Sequence, residues 1–319
     1  MKTTGLLVAL ALFPAFQPAG DLNEAIGIYE KGKFDQAANM FQKLRDSSPS
    51  DPEIRLWLGK SYSKARQWDK AVQEMENLVR LQPSNAQYHL LLGRACGDRA
   101  SHSMFITAIG WAKRVRKEFE TATKLAPEDV DIRFDLLEYY LDAPEIVGGG
   151  KDKAEEEAQA IARLRPEKGF LARATILIKN KKWDLARKEL NQAVINYPQS
   201  SSACKDLADF LLDRQDFEGA LDYATKALAL DGKSKRSRLI AAAAKIRLNR
   251  DLDETEKTLQ DFVAGKLGDE DPSFEEAYYW LGECRLAKGD KAKAREAFKS
   301  SLALNPEYEK AKNGLSKAR

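Results

Sequence analysis

A catalytic role would need residues that this chain scarcely has, since its 319 residues include two histidines, His89 and His102, and three cysteines, Cys96, Cys204 and Cys284. His102 stands between Ser101 and Ser103. Adjacency in sequence does not set a hydroxyl on an imidazole nitrogen, as a nucleophile and its base require. No Cys/His or His/carboxylate spacing fits a zinc site. Gly148-Gly149-Gly150-Lys151 has the look of a phosphate cradle, but no Gly stands five residues before Gly150, and Asp152 occupies the Ser/Thr position of such a loop. The run Glu155-Glu156-Glu157 reads as a solvated helix start. His89 falls at an apolar interface position of its helix, where packing is the simpler role. No catalytic residue, cofactor or metal is therefore expected, and the residues that matter are those that a scaffold presents to a partner.

The composition is 43% hydrophobic and 32% charged, with 52 basic against 49 acidic residues, a net charge of +3. That balance lacks the basic excess of a dedicated nucleic-acid binder. At the N-terminus Lys2 is the only charge in the first twenty residues, and Leu6 to Phe13 form an apolar run closed by Pro14. Eight apolar residues fall well short of the roughly 20 that span a bilayer, and the small-residue stretch to Gly20 suits a removed segment. Residues 1–20 are read as a signal peptide, so the protein is expected to be exported, periplasmic or secreted. The three cysteines lie at least two repeats apart. With helices packed about 8–10 Å apart, any two exceed the roughly 7 Å reach of a disulfide, so they are expected to be buried apolar residues.

Self-similarity is the strongest signal. An aromatic residue, an acid, any residue and then Ala recur as Phe34-Asp35-x-Ala37, Trp68-Asp69-x-Ala71, Trp183-Asp184-x-Ala186 and Phe217-Glu218-x-Ala220. The steps 34 to 68 and 183 to 217 are both 34 residues, and Pro49 to Pro83 repeats the step. From Trp68 to Trp183 the distance is three periods plus 13 residues, and the prolines Pro83, Pro127, Pro166 and Pro198 distribute the same excess as +10, +5 and −2. Two markers thus share one register. The acid falls in the first turn of a helix, where the macrodipole favours negative charge by about 0.3–1 kcal/mol. Proline follows a helix end, where it cannot continue the helix. Small residues such as Gly59, Gly93 and Gly282 let paired helices approach, and a larger group there costs roughly 1–3 kcal/mol.

A 34-residue unit with Leu58, Gly59, Tyr62, Ala71, Met75 and Pro83, matched again by Leu281, Gly282, Ala294, Phe298 and Pro306, resembles the tetratricopeptide repeat (TPR). The Ala143–Gly150 segment also resembles one found in a group of exported bacterial TPR proteins of unassigned activity. The resemblance implies an all-α fold: a right-handed superhelical solenoid of antiparallel helix pairs over 21–319, with about eight TPR-like units from Asp21 to Pro306. Tyr308–Lys317 then forms a C-terminal capping helix.

Units three and four carry insertions near 97–110 and 143–151, both between the two helices of the unit. Phe105, Ile109, Ala112, Val115 and Phe119 follow helical spacing, which extends the second helix of unit three backward with Ser101 or Ser103 as its cap. Three readings of this edge stand side by side. Ile146 and Val147 fold over Phe105 and Ile109; or His102, Met104, Phe105, Ile146 and Val147 form a partner-binding edge; or the apolar Met104–Trp111 stretch with Lys113, Arg114, Arg116 and Lys117 touches a membrane surface.

In TPR proteins the first helices line the concave side. The resemblance places Lys60 and Lys64, Arg94 and Asp98, Glu138 and Asp142, and Asp209 and Asp213 there as i, i+4 pairs, basic in units two and three and acidic in four and six. Either neighbouring helices exchange these charges as ion pairs such as Arg94 with Glu138, or the charges polarise a groove for a protein or peptide segment. The family's paired Lys and Asn clamp for carboxylate tails is not recognisable. The expected function is a non-catalytic protein-binding scaffold with no transmembrane span and no nucleic-acid partner. The alternatives are a ligand-binding or enzymatic role at the insertion edge, around His102 and Gly148–Gly150, or an accessory factor docking on a membrane or envelope assembly.

Overall fold

The computed structural model describes residues 18–268 and 271–319, and the expected signal segment falls outside them except for its last three positions. Among the described residues the chain is all-α. Helices α1 (Pro18–Tyr29) and α2 (Phe34–Ser47) make unit one, α3 (Pro52–Lys64) and α4 (Trp68–Leu81) unit two, and α5 (Ala86–Ser101) and α6 (Phe105–Leu125) unit three. Unit four is α7 (Val130–Asp142), a 3-10 turn (Glu145–Val147) and α8 (Lys151–Leu164); unit five is α9 (Pro166–Lys179) and α10 (Trp183–Asn196). Units six to eight are α11 (Ser201–Asp213) with α12 (Phe217–Leu230), α13 (Lys235–Arg247) with α14 (Leu252–Ala264), and α15 (Phe274–Ala287) with α16 (Lys291–Leu304), and α17 (Glu309–Lys317) caps the stack. Each helix packs on the next in sequence, and first helices also meet those of the adjacent units, as α11 meets α13 and α13 meets α15. The result is a right-handed superhelical solenoid.

Local chemistry sets the helix ends. Asp51 accepts from the backbone N–H of Glu53 (2.8 Å) and Ile54 (3.3 Å), and Asp129 does the same for Asp131 and Ile132. These caps satisfy amides that no helix carbonyl can reach. Between the two helices of units one, two, five, six, seven and eight, a residue just past the first helix takes a left-handed backbone: Gly32, Arg66, Lys181, Gln215, Asn249 and Gly289, with Asp251 a second such residue in unit seven. The next amide then reaches back five residues, as Gln67 N–H does to Tyr62 O at 2.8 Å. This is the Schellman closure.

Units three and four lack that turn. In unit three, α5 has 16 residues against 13 in α3, and α6 has 21 against 14 in α4, so the added residues prolong both helices. Neither Ser101 nor Ser103 caps α6: each bonds a carbonyl of α5, and Met104 stands at the N-cap without a side-chain hydrogen bond. In unit four the glycines make the chain reverse. A Cβ at Gly149 would lie 1.7 Å from the Ala143 carbonyl oxygen, and Gly150 N–H donates to Tyr140 O at 2.9 Å. The Tyr139 hydroxyl lies 2.9 Å from Ala112 O and 2.8 Å from Val147 O, binding this turn to α6.

Successive apolar clusters form a continuous core, with Phe41, Leu58, Met75, Leu137, Leu190, Leu207 and Phe298 among its fully buried side chains. Cys96, Cys204 and Cys284 are buried free thiols within it. Desolvation pushes the Cys96 thiol up to about 12 and Cys284 up to about 11, which disfavours the thiolate form of both.

The ends of the superhelix meet. Leu267 N–H donates to Glu30 O at 2.8 Å, Lys266 pairs with Glu30 at 2.7 Å, and the Phe274 ring packs over Gly32. Arg66 donates to Asn305 (3.1 Å) and bonds Glu307. The segment between α14 and α15 therefore docks on unit one, and the start of the cap region docks on unit two.

Candidate functional site

Closure of the superhelix leaves a half-open concave cavity of about 380 Å³ between units one to three and the C-terminal units. Of the groove residues expected from the sequence, Lys60, Lys64, Arg94 and Asp98 line it together. They belong to α3 and α5, whose opposite faces bury Leu58 and Leu92 in the core, so helical spacing turns these charges inward. Tyr29, Phe34, Trp68 and Phe274 supply aromatic walls. The Lys60 ammonium sits 4.8 Å from the Trp57 ring centroid. Arg94 forks onto Asp135 through two bonds of 2.8 and 2.7 Å. Lys64 has no ion-pair partner among the described residues. Asp98 borders the same space: although its outer edge is open to water, crowding by the concave wall raises its pKa, opposed by His102, Lys64 and Arg66.

Glu138, Asp142, Asp209 and Asp213 do not join this cavity. Asp142 bonds Lys179, and Asp209 receives Arg236 at 2.6 and 3.1 Å, while Arg236 also reaches Glu276 at 2.8 Å. Much of the acidic half is therefore neutralised within the protein. Although both side chains are exposed at their outer edges, crowding by the concave wall, then Asp135 and Asp142, raises the Glu138 pKa, and the same crowding, then Asp209, raises that of Asp213. Neighbouring helices do exchange ion pairs, but Arg94 takes Asp135, one turn before Glu138.

The insertion edge divides. Met104 and Phe105 are 81% exposed and Ile146 is 74% exposed, whereas Val147 is 3% exposed and buried under Tyr139. Ile146 thus does not fold over Phe105, and Val147 is no part of a binding surface. His102 belongs to the closure: its ring stacks on Trp68 at 4.8 Å, Nδ1 donates to Asp98 O (2.8 Å), and Nε2 lies 3.2 Å from both Arg66 and Glu307. Hydrogen bonds from His102 and then Arg66 hold the Glu307 carboxyl below its usual value. Gly148 and Gly149 are buried against their own chain, which leaves no cradle for a phosphate. Among the described residues no group of three or more His, Cys, Asp or Glu is placed to hold a metal, and no helix is long and apolar enough to cross a membrane.

Sequence reasoning passed over Arg66, Trp68, Leu267, Phe274 and Glu307. The partners of Arg66 lie 239 and 241 residues away, so no local pattern could announce them. The available hint was Leu267, an isolated apolar residue between Gly265 and Gly268 in an otherwise polar linker.

Models of the tetratricopeptide repeat match residues 29–95, 171–235 and 275–308. No curated protein matches the chain. Among solved structures, the yeast Tom70 crystal structure aligns with a TM-score of 0.60 at 16% identity, over 99% of this chain and 66% of that one. The Cut9 and Hcn1 hetero-tetramer of the APC/C aligns at 0.49 and 15% identity, over 96% and 57%, and a thermophilic TPR protein of Thermus thermophilus at 0.44 and 17%, over 71% and 98%. The chain thus spans about two thirds of the yeast protein's length. At such identities the likeness carries the fold alone.

Proposed function

The chain belongs to the tetratricopeptide repeat proteins, whose repeats build scaffolds for protein–protein interaction, and from that premise we propose that it is a non-catalytic adaptor that binds a carboxylate-rich segment of a protein partner in the concave cavity. The observation that carries this reading is the pair Lys60 and Lys64, one turn apart on the cavity wall beside Tyr29, Phe34 and Phe274, with Lys64 lacking an ion pair of its own among the described residues. Cations next to aromatic faces receive an extended acidic chain by charge and its methylenes by apolar contact. In units four and six Asp142 and Asp209 are committed to Lys179 and Arg236, whereas Lys64 faces the cavity without an ion pair among the described residues. The experiment is charge reversal of Lys60 and Lys64 against a partner captured by crosslinking.

The same reading places the adaptor outside the cytoplasm, on the strength of the apolar run Leu6–Phe13 and the small residues after it. Mass spectrometry of the protein isolated from its source is expected to find a first residue between Ala15 and Asn23. An intact Met1 in the native compartment contradicts export by cleavage.

A further inference from the structure

The prolonged α6 raises the tip of unit three beyond its neighbours. It has 21 residues against 14 in α4 and α8, and seven extra residues add about 10 Å of helix. At that tip Met104, Phe105 and Ile106 are 81%, 81% and 83% exposed. Phe105 and Ile106, the first two helical residues, point about 100° apart, and Met104 precedes them at the extended N-cap, so the apolar side chains leave the tip in several directions. A folded partner covers one face of a helix, whereas a fluid apolar medium covers all of them.

The charges match this arrangement. From Arg99 to Lys117 the chain has five basic residues and no acidic one. Arg99 is bound to Asp69, Arg114 to Glu76, and Arg116 lies beside Glu120. Lys113 and Lys117 are exposed and have no ion-pair partner among the described residues. Trp111 sits five residues behind Ile106, about 7.5 Å along the helix, half-buried against the core with Arg99 and Arg114 over its ring. No side chain caps α6 and no acid stands in its first turn, so its positive end is open to phosphate. A second copy of the chain fits less well, because a twofold contact would bring the same basic stretch against itself.

We propose that the tip of unit three is a lipid-binding finger, inserting Met104, Phe105 and Ile106 into the interface of an anionic bilayer while Lys113 and Lys117 meet its phosphates. This does not depend on the cavity, which lies on the concave side.

The test is amide hydrogen exchange of the full chain with vesicles of phosphatidylglycerol and phosphatidylcholine in equal parts, read by mass spectrometry for residues 104–111. Exchange there is expected to slow when vesicles are added. The Phe105→Asp/Ile106→Asp variant should need about 100-fold more lipid for the same protection, given the apolar area it removes. Lys113→Glu/Lys117→Glu should lose about tenfold on these vesicles, and pure phosphatidylcholine should protect the wild type more weakly than the mixture. Because all four side chains are on the surface, circular dichroism melts should match wild type. Vesicle binding without slowed exchange at 104–111 overturns the proposal, since the N-terminal apolar run would then account for it. A mass in sedimentation that rises with concentration and falls back in Phe105→Asp/Ile106→Asp assigns the tip to a second copy and also overturns it.

Discussion

Phe298→Ala is expected to destabilise the C-terminal end of the stack by about 3–5 kcal/mol, the range for emptying a fully buried aromatic site. The ring is completely buried, and a Cβ at Gly282 of α15 or Gly314 of α17 would lie 2.5 or 2.4 Å from it. One side chain of α16 therefore joins three helices, with Tyr279 6.2 Å away between centroids. Helix α17 has nine residues, too few to persist undocked. Because a solenoid is held by nearest-neighbour interfaces, the loss should appear first in unit eight and α17. Thermal melts together with hydrogen exchange over 309–317 check this. Unchanged protection of α17 would show that the ring does not hold the cap.

Glu118→Ala is expected to cost about 1–3 kcal/mol, because removing one partner of a buried hydrogen bond leaves the other unsatisfied. His89 and Glu118 are both buried; Nδ1 lies 2.6 Å from the carboxylate and Nε2 2.9 Å from Pro83 O. Truncation leaves the ring of α5 without its partner on α6. Glu118→Gln keeps the shape and a hydrogen bond, and should recover a substantial part of the loss. Urea unfolding of the two variants, with His89→Ala and the double mutant to complete the cycle, measures the coupling. A loss under about 1 kcal/mol for Glu118→Ala would mean that water satisfies the ring.

The repeat was legible because its markers are backbone requirements repeated at one period. Gly93 must be small, since a Cβ there would lie 2.4 Å from the Phe119 ring, and the acids Asp35, Asp69 and Asp184 fall in first turns. The left-handed turns were less visible, because Arg66, Lys181 and Gln215 adopt them without the glycine that usually marks such a position. Buried acids were invisible for a related reason. Glu74 reads as surface charge in sequence, yet it lies in the core edge held by Arg45 (2.9 Å) and Arg55 (2.7 Å), one from the preceding unit and one from its own. Helical spacing put Lys60 with Lys64 and Arg94 with Asp98 on shared faces, and the resemblance to the tetratricopeptide repeat turned those faces inward. What bounds their cavity followed from neither, because Phe274 and Asn305 arrive from the far end of the chain through closure of the superhelix.

The central claim is that this cavity receives the acidic segment of a protein partner. The most direct measurement is the affinity of the crosslink-captured partner for wild type and for Lys60→Glu/Lys64→Glu at low and high salt, beside thermal melts of both. The account predicts melts within about 0.5 kcal/mol of each other. It predicts binding weakened about tenfold or more at low salt, with the gap shrinking near 1 M, where the Debye length is about 3 Å. Equal affinity of the two proteins at low salt, with equal melts, would contradict it.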